Sequence, residues 1–328
     1  MADQYTGNHR SGWLKSVPDS ALPYIQLARL KPPVGFCLIF FPHLFGLLLS
    51  AALYELPFDH VLHASLLLLG GSFFVSNAIH TWNDLIDAPL DAQVQRTAKR
   101  PIPRGAVSPT AALLFTATQA IGALLFLPFL PGGFVHSTLW AIPGIVGWAY
   151  YPWAKRHTYY PQLVLGFCLS WGVVMGCLAL GIPLLTGDWD DDEGSLQVTV
   201  QFTVLCLFGA NILWTMIYDT IYAHQDVADD RKIGIKSIAV LYGEQTKSLL
   251  WGLLAVKGAL LVACGRLGHM SVVYYLVAVL GAVGSLGVMI REVDLASGES
   301  CWWWFGNGFW LAGGSIVGGL GLELLVRT

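Results

Sequence analysis

Two clusters of acidic residues are the clearest sign of chemistry in the sequence, because each follows a long apolar stretch. The first, Asn83–Asp91, reads NDLIDAPLD, and the second, Asp219–Asp230, reads DTIYAHQDVADD. Ionised carboxylates at such short spacing repel one another, and a divalent cation among them would relieve that repulsion. Mg²⁺ prefers oxygen ligands and commonly combines one or two carboxylates with substrate phosphates. The clusters therefore predict a site for Mg²⁺ and a phosphorylated substrate.

Helical spacing would bring the oxygen atoms of each cluster to one face. Residues four apart are neighbours on an α-helix, as Asn83, Asp87 and Asp91 would be if the preceding helix continued past Pro89. Asp226 and Asp230 have the same spacing in the second cluster. The alternative is a solvated, helix-capping group of acids. Two such clusters at equivalent places make this alternative the weaker one.

Basic residues follow both acidic clusters and could bind phosphate directly, Arg often through two hydrogen bonds. Arg96 and Arg100 are the strongest candidates because they are four residues apart on a predicted helix. The alternative is that these residues only set the orientation of the chain in a membrane. The whole set of cationic candidates is Arg96, Arg100, Lys155, Arg156 and Lys236.

The composition predicts that the elements holding these residues span a membrane. The chain of 328 residues is 55% hydrophobic and 12% charged, whereas a soluble domain carries about 25% charged residues. A spanning helix needs roughly 20 mostly apolar residues. The sequence contains nine such stretches, at about 34–53, 61–80, 110–130, 134–151, 162–185, 198–218, 248–264, 271–290 and 305–325. The six Cys residues form no CxxC pair, and we interpret them as packing residues.

The charges predict how the chain is oriented. With nine spans, most of the 18 Lys and Arg residues fall in the N-terminal tail and the loops after spans two, four, six and eight. The positive-inside rule places this face, with both acidic clusters, in the cytosol. The acidic run at 188–193 falls on the opposite face. We interpret it as a solvated luminal loop, because it lacks the glycine and spaced ligands of a Ca²⁺-binding loop.

These motifs together resemble the UbiA-type prenyltransferase superfamily, and especially its 4-hydroxybenzoate polyprenyltransferase branch. The resemblance rests on NDxxDxxxD after the second predicted span and DxxYAxxDxxxD after the sixth. It extends to the flanking strings RTAKRPIPRG, YPWAKRHTYYPQ and IGIKS, and it covers the chain from about residue 24 onward. It implies an all-α, polytopic membrane protein of about nine helices, arranged as two four-helix halves plus one around a central cavity. We expect a single domain over 1–328, with 1–23 as a short cytosolic tail.

The resemblance also implies roles for individual residues. Asp219, Asp84 and Tyr222 would form the catalytic group, in which Asp219 would orient or deprotonate a ring hydroxyl and Asp84 would assist the metal site. The cationic candidates, with Arg96, Lys155 and Lys236 at matching family positions, would bind the diphosphate. The implied partners are Mg²⁺, a prenyl diphosphate donor, a small aromatic acceptor and the lipid bilayer, without nucleic acid. The implied metal and diphosphate ligands are Asn83, Asp87, Asp91, Asp226 and Asp230.

The N-terminal segment, taken together with the motif strings, favours one branch of this superfamily. The N-terminal segment lacks the Arg-rich, acid-poor character of a mitochondrial transit peptide. The chain therefore resembles fungal enzymes that prenylate aromatic polyketides in meroterpenoid pathways. That branch implies farnesyl diphosphate as donor and the endoplasmic reticulum or a related endomembrane as location, ahead of the mitochondrial inner membrane.

Three other functions stay open at this point. They are the 4-hydroxybenzoate polyprenyltransferase of ubiquinone synthesis, a membrane terpene cyclase on the same scaffold, and a transporter. A transporter would place its ionisable residues near the middle of the bilayer. Here the acids follow the ends of the predicted spans, which favours an enzyme.

Overall fold

A computed structural model shows an all-helical protein. The structure describes residues 11–182, 184 and 192–328, and no strand occurs within these ranges. The acidic run at 188–193 lies outside the residues whose side chains are described. The α-helices are α1 Leu22–Leu27, α2 Val34–Leu53, α3 Phe58–Asp91, α4 Pro109–Leu124, α5 Gly133–His157, α6 Pro161–Leu178, α7 Asp192–Ala223, α8 Val227–Ile233, α9 Ile238–Tyr242, α10 Thr246–Leu267, α11 Val272–Tyr274, α12 Leu280–Glu292 and α13 Gly298–Arg327.

The long helices confirm an integral membrane protein. Within the described residues, eight helical segments are long and apolar enough to cross a bilayer. They are α2, α3, α4 with the turn Leu127–Phe129, α6, α7, α9 with α10, α11 with α12, and α13. A ninth span, predicted at 134–151, corresponds to α5, which is long enough but rich in Trp, Tyr, Gly and Pro instead of aliphatic residues. The count of nine therefore stays a prediction.

Close helix contacts place α2 and α6 at the centre of the bundle. A Cβ atom on Gly46 of α2 would lie 1.9 Å from the carbonyl oxygen of Val173 in α6. A Cβ on Gly176 would lie 2.2 Å from the carbonyl oxygen of His43. Small residues at such positions let membrane helices approach closely, and larger ones would force them apart. This contact holds the helices that surround the site in a fixed relation.

The first acidic cluster adopts the predicted helix, and the second does not. Helix α3 continues through Pro89 to Asp91, so the first cluster forms its last three turns. In the second cluster, α7 ends at Ala223 and α8 begins at Val227. Asp219 therefore belongs to a membrane helix, whereas Asp226 immediately precedes a short helix outside it. The segment 92–108 forms successive turns, so Arg96 and Arg100 do not share a helix.

One buried charge in the membrane region faces the helical bundle. Lys257 of α10 is fully buried, and its Nζ lies 3.5 Å from the carbonyl oxygen of Ala210 and 5.9 Å from the centre of the Trp214 ring. The side chain therefore points into the bundle and not towards the membrane interface.

Candidate active site

Both acidic clusters meet at one polar cavity of about 210 Å³, where the ends of α3, α5, α7 and α13 come together with the 92–108 segment. Asp84 and Asp87 contact residues of this lining from behind, and Arg156 lies beside Asp87. Most of the predicted site residues line the cavity itself: Asn83, Asp91, Arg96, Arg100, Lys155, Asp219, Tyr222, Asp226, Asp230 and Lys236.

Arg96 joins the second acidic cluster to the turn segment that follows the first. Its Nε donates to one carboxylate oxygen of Asp226 at 2.9 Å, and a terminal nitrogen donates to the other at 2.5 Å. The other terminal nitrogen donates to the Tyr222 hydroxyl at 3.1 Å, and the guanidinium lies 5.2 Å from the centre of that ring. A guanidinium paired in this forked geometry holds a carboxylate in a defined orientation.

Arg100 holds carboxylates of the first acidic cluster in the same way. It donates to Asp84 at 3.1 Å and to Asp91 at 2.8 Å, and Arg29 donates to Asp84 at 3.0 Å. Burial by itself would lower the pKa of Arg100, but the Asp84 and Asp91 carboxylates raise it well above its usual range. Asp84 is 2% exposed and is enclosed by the two arginines. Its geometry therefore suits positioning of Arg29 and Arg100 more than contact with a substrate.

Asp87 is the most enclosed of the predicted metal ligands. It is fully buried, and one carboxylate oxygen accepts a hydrogen bond from Lys155. Within the described part of the chain, the other oxygen accepts no hydrogen bond, although Arg156 lies 3.8 Å away. Arg156 instead donates to the carbonyl oxygen of Ile86 at 2.9 Å. Lys155 thus stands between Asp87 and the cavity that it lines.

Asp230 is an acid whose charge the surroundings disfavour. It lies on α8 beside Asp226 and is 8% exposed. Burial, and then the neighbouring Asp226 carboxylate, raise the pKa of Asp230 to about 7. A cation in the cavity would stabilise the ionised form of Asp230, because it would offset both the burial and the repulsion from Asp226.

We expect Asp230→Asn to raise the thermal unfolding midpoint of the ligand-free protein more at pH 8 than at pH 5. An acid with a raised folded-state pKa costs stability progressively as pH rises from its ordinary value, and the full cost is reached above about 7. Asparagine removes that cost, and we expect a gain of about 3 °C or more at pH 8. Unfolding in detergent, followed by intrinsic fluorescence, measures the difference.

Asp229→Asn is the matched control for this prediction. Asp229 is the adjacent acid, and a hydrogen bond from Lys232 lowers its pKa. Its replacement should give no such gain at pH 8. Equal midpoints for wild type and Asp230→Asn at pH 8 would contradict the prediction.

Asp219 lines the same cavity from the membrane side, away from the cationic turn segment. Its carboxylate is hydrogen-bonded to the Gln162 side chain. The side-chain oxygen of Gln162 in turn accepts a hydrogen bond from the backbone N–H of Ile238 at 3.2 Å. Gln162 is 2% exposed, so it is a fixed support. Among the described residues, Lys236 forms no ion pair with an acid. Its Nζ lies 3.4 Å from the carbonyl oxygen of His157 and 5.7 Å from the centre of the Tyr159 ring.

Several residues of the cavity are absent from the sequence-based candidates. Arg29 precedes the first span, and Gln162 lies at the start of α6. Trp302 and Phe305 come from α13, and the Phe305 ring centre lies 4.5 Å from that of Tyr222. The signal for these last two was the CWWWF string at 301–305, which the sequence alone could not separate from an aromatic belt at the membrane interface.

The cavity combines oxygen donors and fixed cations at the end of an apolar bundle. Among the described residues, no three His, Cys, Asp or Glu side chains converge closely enough to hold a metal ion by themselves. The carboxylates that line the cavity instead face it from two sides, and Asp91 and Asp226 are each paired with an arginine. Such an arrangement can bind a polyanion that brings its own oxygen ligands to a cation.

Comparison with known sequences agrees with this chemistry. The model of the UbiA prenyltransferase family matches residues 39–313. The mitochondrial 4-hydroxybenzoate polyprenyltransferase of Saccharomyces cerevisiae is 34% identical over 304 residues, which cover 89% of this chain and 74% of the yeast protein. Prenyltransferase stbC of Stachybotrys bisbyi is 30% identical over 321 residues, which cover 94% of this chain and 91% of that protein.

Solved structures share the fold. A UbiA homolog from Aeropyrum pernix K1 in its apo form superposes with a TM-score of 0.68 at 23% identity, covering 88% of this chain and 97% of the homolog. A UbiA homolog from Archaeoglobus fulgidus, bound to DMAPP and Mg²⁺, superposes with a TM-score of 0.60 at 14% identity, covering 88% and 98%. At these identities the likeness concerns the arrangement of the helices.

Proposed function

Because the chain belongs to the UbiA prenyltransferase family, we propose that it transfers a farnesyl group from farnesyl diphosphate to a ring carbon of a small phenolic acceptor, with Mg²⁺ as cofactor. One observation carries this proposal: both acidic clusters, their cationic partners and Asp219 surround a single cavity at the end of apolar helices. A diphosphate with a long apolar tail is the substrate class that matches such a cavity.

The residues present fit Mg²⁺. Asn83 and Asp91 offer oxygen atoms from one side of the cavity, and Asp226 and Asp230 offer them from the other. Mg²⁺ usually takes one or two carboxylates and completes its coordination with water and phosphate oxygens. When bound, Mg²⁺ neutralises diphosphate charge and stabilises the diphosphate as a leaving group. Asp87, with its unbonded oxygen, would support this set once Lys155 turned towards the phosphates.

The cationic residues bind and orient the diphosphate. In the ligand-free protein Arg96, Arg100 and Lys155 are paired with Asp226, Asp91 and Asp87, so these charged groups are held in place before a diphosphate binds. The arriving diphosphate competes for these cations. Their pull on the departing oxygen favours cleavage of the allylic C–O bond, whose electron pair leaves with the diphosphate.

Asp219 and the aromatic wall act on the acceptor side. Asp219 accepts the proton of the phenolic hydroxyl, which makes the ring carbon beside it more nucleophilic. The new C–C bond forms between this carbon and the allylic carbon, the ring carbon then passes its proton to the departed diphosphate, and protonated Asp219 returns the first proton to the phenolate oxygen. Tyr222 and Phe305 offer ring faces to the cationic carbon, and the apolar surroundings exclude water that would capture it.

Two pathways, each with its own phenolic acceptor, are candidates for this enzyme. The relatives named 4-hydroxybenzoate polyprenyltransferase support a phenolic acceptor, and they also support ubiquinone synthesis as the second candidate function. The match to prenyltransferase stbC covers 91% of that protein and supports a fungal prenyltransferase, for which the meroterpenoid role is our finer proposal. The two pathways differ in the membrane that holds the enzyme. We propose the endoplasmic reticulum, whereas several relatives are named mitochondrial. Fractionation of cells expressing a tagged chain tests this point.

Product analysis tests the reaction itself. Membranes containing the chain are incubated with Mg²⁺, a series of prenyl diphosphates and a panel of phenols that includes 4-hydroxybenzoate, and products are identified by mass. A farnesylated phenol supports the proposal. A polyprenylated 4-hydroxybenzoate would support the ubiquinone reading, and a cyclised hydrocarbon without acceptor would support a cyclase.

We expect Arg96→Ala to raise the KM for the prenyl diphosphate by about tenfold, since a phosphate contact through a charged hydrogen bond contributes 1.5–3 kcal/mol in typical cases, or roughly a factor of ten or more. The KM for the phenol should change little. Initial rates with one substrate varied at a time measure both constants.

Lys99→Ala is the control for this prediction, because Lys99 is an exposed cation three residues away on the same turn segment. It should leave both constants unchanged. A donor KM that is equal in wild type and Arg96→Ala would count against a phosphate role for Arg96.

A further inference from the structure

The segment 224–246 carries the second group of proposed metal ligands. It begins where α7 ends, contains α8 and α9, and finishes where α10 begins. Asp226, Asp230 and Lys236 of this segment line the polar cavity. Mg²⁺ demands a nearly ideal arrangement of its oxygen ligands. The contacts that hold this segment therefore control how well the metal site is formed before a substrate binds.

The contact that holds Asp226 most directly is one that donor binding would weaken. Asp226 is paired with Arg96 through both carboxylate oxygens. In the proposed function the diphosphate competes for Arg96, and Asp226 offers its oxygen atoms to Mg²⁺. A second contact from the same turn segment is weaker, because the backbone N–H of Gln95 lies 3.4 Å from a carboxylate oxygen of Asp229.

Two backbone hydrogen bonds hold the second half of the segment. The N–H of Lys236 donates to the carbonyl oxygen of Lys155, at the end of α5, at 2.8 Å. The N–H of Ile238 donates to the side chain of Gln162, at the start of α6, at 3.2 Å. These bonds position Lys236 over the cavity. They do not hold the first residues of the segment, where the chain leaves α7.

The two ends of the segment are joined by a hydrogen bond outside the cavity. Nε2 of His224, the residue directly after α7, lies 3.1 Å from the hydroxyl oxygen of Thr246, the first residue of α10. Thr246 is fully buried, and neither residue lines the polar cavity. Helices α7 and α10 pack along each other, so this bond joins the segment to a firm support. A diphosphate in the cavity does not compete for it.

His224 also lies at the point where the chain leaves the helical path. Its backbone N–H donates to the carbonyl oxygen of Ile221, three residues back, at 3.2 Å, which is the tighter turn of a 3-10 helix. The side chain of Gln225 donates to the carbonyl oxygen of Tyr222 at 2.9 Å. A side chain anchored at position 224 therefore fixes the direction in which the chain continues to Asp226.

We propose that His224 is a positioning residue for the metal site, and that its hydrogen bond to Thr246 keeps Asp226 and Asp230 in place while the diphosphate draws Arg96 away. This inference rests on the proposed function. His224 touches neither Mg²⁺ nor substrate in this role. It raises the fraction of molecules whose segment is ready to bind, and the apparent affinity of a ligand falls in proportion when that fraction falls.

His224→Leu should therefore raise the Mg²⁺ concentration for half-maximal rate by about three- to tenfold, the usual effect of one lost hydrogen bond. The KM for the prenyl diphosphate should rise with it. At saturating Mg²⁺ and donor, kcat should stay within about threefold of wild type, because excess ligand restores the competent arrangement. A general loss of folded protein would instead lower the rate equally at every Mg²⁺ concentration.

Conservative variants separate the hydrogen bond from the size of the side chain. His224→Gln keeps a hydrogen-bonding nitrogen near the position of Nε2, and Thr246→Ser keeps the hydroxyl. Both should retain nearly the wild-type Mg²⁺ dependence. Thr246→Val removes the hydroxyl but keeps the shape, so it should reproduce His224→Leu and gives an answer if that variant fails to fold. The double variant should show no larger effect than either single one, since both remove the same bond.

His136→Leu is the matched control. His136 accepts a hydrogen bond from the indole N–H of Trp140 at 3.1 Å, and it lies near the start of α5, outside the polar cavity. Its replacement removes a histidine hydrogen bond of the same length and should leave the Mg²⁺ dependence unchanged. An unchanged dependence in His224→Leu and Thr246→Val, an equal rise in His136→Leu, or no restoration by His224→Gln would overturn the proposal.

A binding measurement tests the same role without the reaction. Inorganic diphosphate is titrated by calorimetry into the detergent-solubilised chain at fixed Mg²⁺ concentration. His224→Leu should weaken the affinity by about three- to tenfold, and His224→Gln should not. Equal affinity in wild type and His224→Leu, or no binding by the wild type, would overturn the proposal. If the wild type binds diphosphate but transfers no prenyl group to any phenol, the proposed function fails, and the affinities alone judge the role of His224.

Discussion

Replacement of Asp226 by Asn is expected to lower kcat/KM for prenyl transfer by at least about 1,000-fold, because loss of a metal-stabilising carboxylate removes several kcal/mol of transition-state stabilisation. Asp226 lines the polar cavity and is paired with Arg96 through both oxygens. Asparagine cannot neutralise Arg96 or bind Mg²⁺ as strongly. Product formation is measured across a range of Mg²⁺ concentrations.

The nearby acid Asp229 supplies the control for this prediction. Asp229 lies three residues along the chain, on α8, and pairs with the exposed Lys232 at 3.1 Å. Asp229→Asn changes the same charge by the same chemistry outside the cavity, and it should retain near wild-type activity. Membrane insertion and the unfolding midpoint of both variants separate loss of chemistry from loss of folding. Full activity of Asp226→Asn at limiting Mg²⁺ would contradict a metal role.

The first acidic cluster shows how far local pattern predicts structure. An apolar helix leads into Asn83–Asp91 without a strong break, and Pro89 disturbs only the final turn, so the continuous helix could be predicted. The second cluster has the same four-residue spacing, yet the helix ends at Ala223. Nothing between Ala223 and Asp226 is Gly or Pro, the residues that normally mark such an end. The Arg96–Asp226 pair lies directly after this break, in a contact that the local sequence does not contain.

Long-range pairing is the part of the site that sequence could not supply. Arg29 and Asp84 are separated by 55 residues, and Arg96 and Asp226 by 130. Charge patterns placed all four on one predicted face, but each Asp had several possible cationic partners there. The choice among them depends on how the helices pack. The close α2–α6 contact through Gly46 and Gly176 contributes to that packing.

The pairing also places the carboxylates of Asp84 and Asp219 in different surroundings, although the resemblance implies a catalytic role for both. Asp84 is bonded to two arginines and is enclosed. Asp219 is bonded to the neutral Gln162 and faces the cavity. A carboxylate held by an amide keeps its capacity to accept a proton, whereas one held by two guanidinium groups has that capacity suppressed. Of the two, Asp219 is therefore the candidate base.

Asp219→Asn is accordingly expected to lower kcat with a phenolic acceptor by about 100-fold to 10,000-fold, the usual contribution of a general base. The amide can still be hydrogen-bonded to Gln162, so the local structure should persist. The KM for the prenyl diphosphate should stay within about threefold of wild type, because a residue that acts on the acceptor contributes little to donor binding. Initial rates, with donor and acceptor varied separately, measure these effects.

Thr220→Val is the control, since Thr220 is the adjacent residue of α7, fully buried and close to valine in shape. A similar loss in Thr220→Val would mean that packing of α7, and not the Asp219 carboxylate, controls the rate. A donor KM that rises as much as kcat falls would assign Asp219 to the diphosphate. Loss of kcat alone, restored in part by phenols of lower pKa that ionise without a base, would place Asp219 at the ring hydroxyl.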